Sequence, residues 1–130
     1  MPCASIIIPH YNGQQHLETC LGSLRRQTVS DFEVLLVDNG STDGSQAWTR
    51  AEFPEVRLIE LGRNHGFTGA CNAGFAAATS PILILLNNDT ETDPHWLENI
   101  LDGFARHPEV GSIASRMMLF DRRDHFHTAG

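Results

Sequence analysis

Ser5-Ile6-Ile7-Ile8-Pro9-His10-Tyr11-Asn12 is the stretch on which the fold turns. Three consecutive isoleucines form a β-branched run that a proline ends, the pattern of a strand buried on both faces. Leu17, Cys20, Leu21 and Leu24 then recur at i, i+3, i+4 and i+7. That spacing lays one apolar stripe along a helix, with Arg25 and Arg26 in its last turn. Asn12-Gly13 would suit a hairpin, but a helical stripe follows it rather than a strand. The opening unit is therefore strand, then helix.

The same alternation continues. Glu33–Asp38 is a second apolar run, closed by an acid, and Asn39-Gly40-Ser41-Thr42-Asp43-Gly44 is a dense turn cluster. A short helix is expected from about Asp43 to Glu52, with Ala47 and Trp48 turned inward and Pro54 ending it. Val56–Leu61 reads as a third strand, Gly62–Gly69 as a polar glycine-rich loop, and Thr68–Ala78 as a small-residue helix stopped by Ser80-Pro81. Ile82–Leu86 is the fourth strand and the most hydrophobic. After the polar loop Asn87–Asp93, Pro94 takes a first-turn position in a helix through His107, whose stripe is Leu97, Ile100, Leu101 and Phe104. Val110–Ala114 is expected to open a fifth strand; the remainder to Gly130 has no clear period. Strands alternating with helices imply an α/β domain over residues 1–130: a mostly parallel sheet with helices on both faces.

Composition narrows the function classes. The 130 residues carry 9 basic and 16 acidic side chains, a formal charge of −7. That balance argues against a surface that grips nucleic-acid phosphates. It leaves room for one nucleotide held through a metal ion, which reverses the local sign. Hydrophobic residues make up 41%, enough for one real core. Cys3, Cys20 and Cys71 are odd in number and lack a C-x-x-C pair, so buried thiols are expected rather than disulfides or zinc. The start lacks a basic and apolar leader pattern, and the apolar runs are too short to span a bilayer, so a reducing cytoplasmic setting is expected.

In open α/β sheets, ligands bind beyond the carboxyl ends of the strands. Here those ends carry Pro9-His10-Tyr11-Asn12, Asp38-Asn39, Asn64-His65-Gly66 and Asn87-Asn88-Asp89. Acids, amides and an aromatic ring are thus delivered to one rim. G-x-G-x-x-G, the phosphate loop and the G-x-S-x-G elbow are all absent, so dinucleotide binding, P-loop chemistry and hydrolase chemistry lose support. His95 and His107 flank a helix but lie twelve positions apart, which suits capping or solvation better than metal ligation.

The residues Ser5–Asn12, Val37–Gly44 and Leu86-Asn87-Asn88-Asp89, in that order, resemble family 2 glycosyltransferases. Asn64-His65-Gly66-Phe67 followed by Gly69-Ala70-Cys71-Asn72-Ala73-Gly74 is similar to the rhamnosyltransferase-like branch. The resemblance implies a GT-A fold, a nucleotide-diphosphate sugar (UDP- or dTDP-linked) as donor, Mg²⁺ or Mn²⁺ as cofactor, and inverting transfer to a glycan or lipid-linked acceptor. It implies that Asp38 accepts a hydrogen bond from the N3–H of a uracil or thymine, a charge-assisted contact. The plainer role for Asp38 is to order the turn that follows. It also implies that Asp89 holds the metal. Asn87 stands where the usual Asp-x-Asp has its first acid, so one charge is missing, a weaker hold on the metal is expected, and Asn87 is available to touch sugar or ribose instead. Pro9, Tyr11 and Asn12 would line the base and ribose side, with Asn64, Gly66, Asn72 and Asn88 completing the donor site. Asp43, at a helix start, is expected to cap.

Inverting transfer needs a general base. In the family that acid lies beyond the sheet, and catalytic domains are longer than this chain. The chain is accordingly expected to be the donor-binding part of a C-terminally truncated enzyme, with the acceptor-side half missing. Asp121 and Asp124, beside Arg122 and Arg123, are expected in surface ion pairs, and no catalytic base is assigned. The alternative is a non-catalytic nucleotide-binding or assembly module of the same family. A missing half would leave apolar surface that another chain could cover, so a homo-oligomer is also expected. The expected setting is cytoplasmic, extending to a peripheral position at the inner face of the membrane. A sugar nucleotidyltransferase, sharing the general fold, would need a glycine- and arginine-rich first loop that this sequence lacks.

Overall fold

The computed structural model describes residues 2–107 and two short strands at 117–118 and 126–128. Eight elements alternate in its main body: β1 (Ala4–His10), α1 (Gln14–Arg25), β2 (Phe32–Asp38), α2 (Ser45–Glu52), β3 (Arg57–Glu60), α3 (Gly66–Ala77), β4 (Leu83–Leu85) and α4 (Trp96–Arg106). The strands form one parallel sheet in the order β3-β2-β1-β4. The expected doubly covered α/β architecture is present. The expected strand Val110–Ala114 and the pairs around Asp121 and Asp124 lie outside the described residues. Two further strands, β5 (Met117–Met118) and β6 (Phe126–Thr128), pair antiparallel.

Side chains of β1 alternate between two cores, as a pleated strand requires. Ile6 and Ile8 face Leu17, Cys20, Leu21 and Leu24 of α1, with Leu97 and Ile100 of α4 in the same cluster. The predicted stripes of both helices are therefore the ones that pack, Leu101 and Phe104 of α4 being partly buried at the margin. Ile7 and Val37 face the other way, onto Ala70 of α3. Small residues bring α3 close: a Cβ built on Gly74 would stand 2.5 Å from a methyl of Ile7 and 3.1 Å from Val37.

Four expectations need correction. α3 begins at Gly66, two residues before Thr68, so the glycine-rich stretch supplies its first turn. α2 begins at Ser45, not near Asp43, because Asp43 and Gly44 are used by the preceding turn. Ser45 and Thr49, one helical turn apart, take the buried positions, and Ala47 faces solvent. Trp48 is half-buried against Phe53. Pro94 lies in the turn before α4 rather than within its first turn. The helix is started by Asp93, whose side chain accepts from the His95 N–H and whose carbonyl accepts from the Trp96 N–H. The run around β4 supplies only three strand residues and forms the sheet edge among the described residues. Its Ile84 is buried, while Leu83 and Leu85, on the α3 side, are 45% and 44% exposed.

At the opposite end from the site, Glu33 ties four segments together. Its carboxylate accepts from Ser5 Oγ at 2.6 Å and from the backbone and hydroxyl of Thr79, and pairs with Arg57 at 2.9 Å. Burial works to raise its pKa, but these donors outweigh it and hold the carboxyl at about 2. The folded pKa lies below the unfolded value of about 4.3, so the contribution is present above the unfolded value and lost as pH falls through about 2. Glu33→Gln should lower denaturation stability by roughly 1–3 kcal/mol at pH 7 and flatten its decline between about pH 5 and 2, read from urea midpoints. Gly74→Ala should cost about 1–3 kcal/mol with an unchanged urea m-value, because only the α3–sheet packing is strained.

Candidate functional site

The strand ends make the site. The register pairs His10 with Asp38, Asp38 with Glu60, and Ile7 with Leu85. Counting three residues onward from Ile7 and from Leu85 brings His10 level with Asn88. The chain leaves β1 for β2 on one side, while β4 lies on the other, so β1 and β4 flank the topological switch point where open α/β sheets bind ligands. A crevice of about 390 Å³ opens there.

Of the residues expected from sequence, Pro9, Tyr11, Asn64, Asn87, Asn88 and Asp89 line this crevice. His10, Asn39 and Phe67 line it too and were not singled out as binding residues. Tyr11 and Phe67 are 50% and 58% exposed, so two rings stand open at its mouth. Asn12, Asp38, Gly66 and Asn72 lie outside the lining.

Each of the first three of those is accounted for by the loops. Asn12 has φ 49°, and its Oδ1 accepts from the Thr42 N–H at 2.7 Å, while its own N–H donates to Ser41 Oγ. Asp38 is buried, and its Oδ2 accepts from the N–H groups of Gly40 and Ser41 and from Gln46 Nε2. The turn-ordering role is therefore real. Its other oxygen, Oδ1, is buried and has no hydrogen-bond partner among the described residues. Gly66 lends its carbonyl to Asn39 Nδ2, and Asn39 Oδ1 accepts from the His65 N–H at 2.9 Å. Asn72 is exposed on α3. The close approach of the two loops depends on Gly40, at φ +88°, where a Cβ would stand 2.8 Å from Arg63 Cα.

Asp43 performs the expected capping from one residue outside the helix. Its Oδ1 accepts from the Ser45 N–H, and its Oδ2 from the N–H of Gln14, the first residue of α1. One carboxylate thus serves two helix starts, and its pKa is lowered: burial acts to raise it, but these bonds prevail.

Loop 87–93 is fastened at its base to α1 and the segment after it. The Thr92 N–H donates to Ser23 Oγ, and Gln27 Nε2 donates to Thr92 Oγ1 and to the Asp93 carbonyl. Cys20 lies beneath Asn87, and burial pushes its thiol up to about 11. Glu91 lies 3.8 Å from Arg26 in an ion pair. Asp89 is the acid that faces the crevice. No group of three or more His, Cys, Asp or Glu able to hold a metal occurs among the described residues. The donor set at the crevice, one carboxylate with amide side chains beside it, fits Mg²⁺ or Mn²⁺. Such ions take one carboxylate, amide oxygens and the substrate's own phosphate oxygens. A second hollow of about 270 Å³, walled by Leu21, Leu24, Val29, Phe32 and Val56, lies away from the strand ends.

These features meet a clear set of relatives. The Glycosyl transferase family 2 profile matches residues 5–130, and the chain belongs to that family. An uncharacterized glycosyltransferase of Nostoc sp. is 37% identical over 123 residues, covering 92% of this chain and 38% of that protein. The N-acetylglucosaminyl-diphospho-decaprenol L-rhamnosyltransferase of Mycobacterium tuberculosis is 33% identical, covering 83% of this chain and 39% of its own length. The chain thus spans about two fifths of these relatives. The mannosyltransferase of Pyrobaculum calidifontis, solved with GDP-Man and Mn²⁺, superposes with a TM-score of 0.74 at 27% identity, covering 80% of this chain and 32% of that one. S. aureus TarS with UDP-GlcNAc gives a TM-score of 0.76 at 20% identity, covering 93% and 42%, which establishes the GT-A fold. The described residues contain no helix long and apolar enough to cross a membrane.

Asn39 is the peg between the second and third strand ends. Asn39→Ala should speed amide exchange at His65 by about tenfold while leaving α1 amides unchanged, measured by native-state hydrogen exchange.

Proposed function

We propose that this chain, residues 1–130, is the donor-binding part of a glycosyltransferase that takes its sugar from a nucleotide diphosphate. The observation that carries this reading is the crevice itself. It sits at the switch point of a family 2 fold and gathers Tyr11, Asn64, Asn87, Asn88 and Asp89 from three different strand ends. A nucleobase would stack on Tyr11, a half-exposed ring at the crevice. Asn64, Asn87 and Asn88 would meet ribose and sugar hydroxyls. Backbone at Gly66 and the start of α3, with Asn12 and Asn72 nearby in the family motif, would border the same ligand.

Asp38 keeps its place in the proposal for a physical reason. A buried carboxylate oxygen without a partner is costly, and an imide N–H from a uracil or thymine removes that cost. Donors UDP-sugar and dTDP-sugar both carry that group. Asp89 would hold the divalent cation together with the diphosphate. When bound, the cation offsets charge on the departing nucleotide. The GDP-Man and Mn²⁺ of the Pyrobaculum enzyme support this chemistry. The activity of the mycobacterial relative, an N-acetylglucosaminyl-diphospho-decaprenol L-rhamnosyltransferase, supports a lipid-linked sugar as acceptor. Free thiols at Cys3, Cys20 and Cys71 support a reducing setting.

Calorimetry with UDP and dTDP, with and without Mn²⁺, tests the site. Asp38→Asn keeps an oxygen for the three turn donors and puts an N–H where Oδ1 stood. It should weaken binding by about tenfold or more with or without the metal. Asp89→Ala should weaken only the metal-dependent part. Binding that both variants leave untouched removes the crevice as the donor site.

A further inference from the structure

His10 is buried at the floor of the crevice, and its two ring nitrogens are both engaged. Nε2 lies 2.8 Å from Ser45 Oγ, and Nδ1 lies 2.9 Å from Asn88 Nδ2. Ser45 Oγ in turn contacts Asp43 Oδ1 at hydrogen-bond distance. A hydroxyl has one proton, and a carboxylate has none to give. The Ser45 proton therefore goes to Asp43, which obliges His10 Nε2 to donate to Ser45. A neutral His10 then has only a lone pair at Nδ1, so Asn88 must donate to it. The direction of the whole chain, Asn88 to His10 to Ser45 to Asp43, follows from one acid at its end.

That direction settles the polarity of Asn88. Its amide nitrogen is held inward, pressed between His10 and the backbone at Gly13, where a Cβ would come within 2.6 Å of it. No described hydrogen bond uses its Oδ1. Asn88 lines the crevice next to Asp89, so the group left for a ligand there is a carbonyl oxygen beside a carboxylate. Such a pair takes hydroxyl donors.

We propose that His10 is a positioning residue: through the relay anchored on Asp43, it locks the Asn88 carboxamide so that its oxygen is the acceptor for a hydroxyl of the bound ligand. This deepens the donor-binding reading and rests on it only for the identity of that ligand. The charged groups around His10 permit the neutral ring. Burial lowers its pKa, Asp38 on β2 and Asp43 before α2 raise it, and His16 on α1 lowers it. Asp89 stands across the crevice after β4. Gln14 meets the far end of the relay through its N–H on Asp43.

The first test needs no ligand. Long-range ¹H–¹⁵N spectra of the imidazoles at pH 7.5 should show His10 neutral with its proton on Nε2. A proton on Nδ1 overturns the proposal. Asn88→Asp places a carboxylate oxygen against Nδ1 and should raise the His10 pKa by about one unit or more in an NMR titration. An unchanged His10 titration overturns it as well. The second test reads affinity for UDP by calorimetry. His10→Phe fills the space without the bonds and should weaken binding about tenfold. Gly13→Ala displaces the Asn88 nitrogen and should do the same; it serves also where His10→Phe does not fold. Unaltered affinity in a folded variant overturns the positioning role. If the unmodified chain binds neither UDP nor dTDP, the donor-site reading fails, while the tautomer and the Asn88→Asp titration still decide the relay.

Discussion

Everything in the site depends on β1 lying between β2 and β4 in parallel register. A central strand paired on both edges has its backbone donors and acceptors satisfied by neighbours that run the same way. Its carboxyl end is level with that of β2, and β4 stops three residues lower. His10 and Asp38 are paired strand ends, and Asn88 reaches the same height three residues beyond the end of β4. One residue of slip would turn Ile6, Ile7 and Ile8 onto the wrong faces and undo both cores. The cores thus hold the register, and the register holds the site.

The loops beyond that rim are built of amides and acids that serve each other first. Asp38 orders the turn after β2, Asp43 caps two helices, and Asn39 pins the segment before α3. Each bond cross-links segments 26–29 residues apart, or closes a turn locally. Such loops are rigid in the sense that matters for recognition: their polar groups are already oriented before a ligand arrives. Preorganised groups lose less freedom on binding. The groups along the crevice that these loop bonds leave over, among the described residues, are Tyr11, Phe67, Asn64 Nδ2 (its Oδ1 accepts from the Gly66 N–H), Asn88 Oδ1, Asn87 and Asp89.

The division of labour between the two faces of the sheet follows from side-chain size. On one face α1 and α4 bring leucines and isoleucines against β1 and β2. On the other, α3 brings alanines and Gly74, and its backbone approaches the sheet closely. This draws the N-terminus of α3, and with it Asn64 and Phe67, toward the crevice. The α3 side of β4 is left uncovered at Leu83 and Leu85 among the described residues.

Sequence alone determined the order of elements, the helix stripes, the parallel sheet and the rim on which the polar residues gather, because these are local matters of spacing and of apolar runs. It also carried the family, through four short motifs in order. It determined less well where helices begin. Asp43 and Asp93 act through side-chain bonds to backbone, so the first helical residue falls later than the pattern suggests. Only the tertiary structure decided which rim residues are free. Asn12 and Asn64 look alike in sequence, yet one is used by a neighbouring loop and the other lines the crevice. His10 carried no sequence signal beyond its place after Pro9. Its role depends on Ser45 and Asn88, which lie 35 and 78 positions away and meet it only when the strands are registered. A hydrogen bond needs its partner within about 3 Å, and no periodicity along a chain encodes that distance.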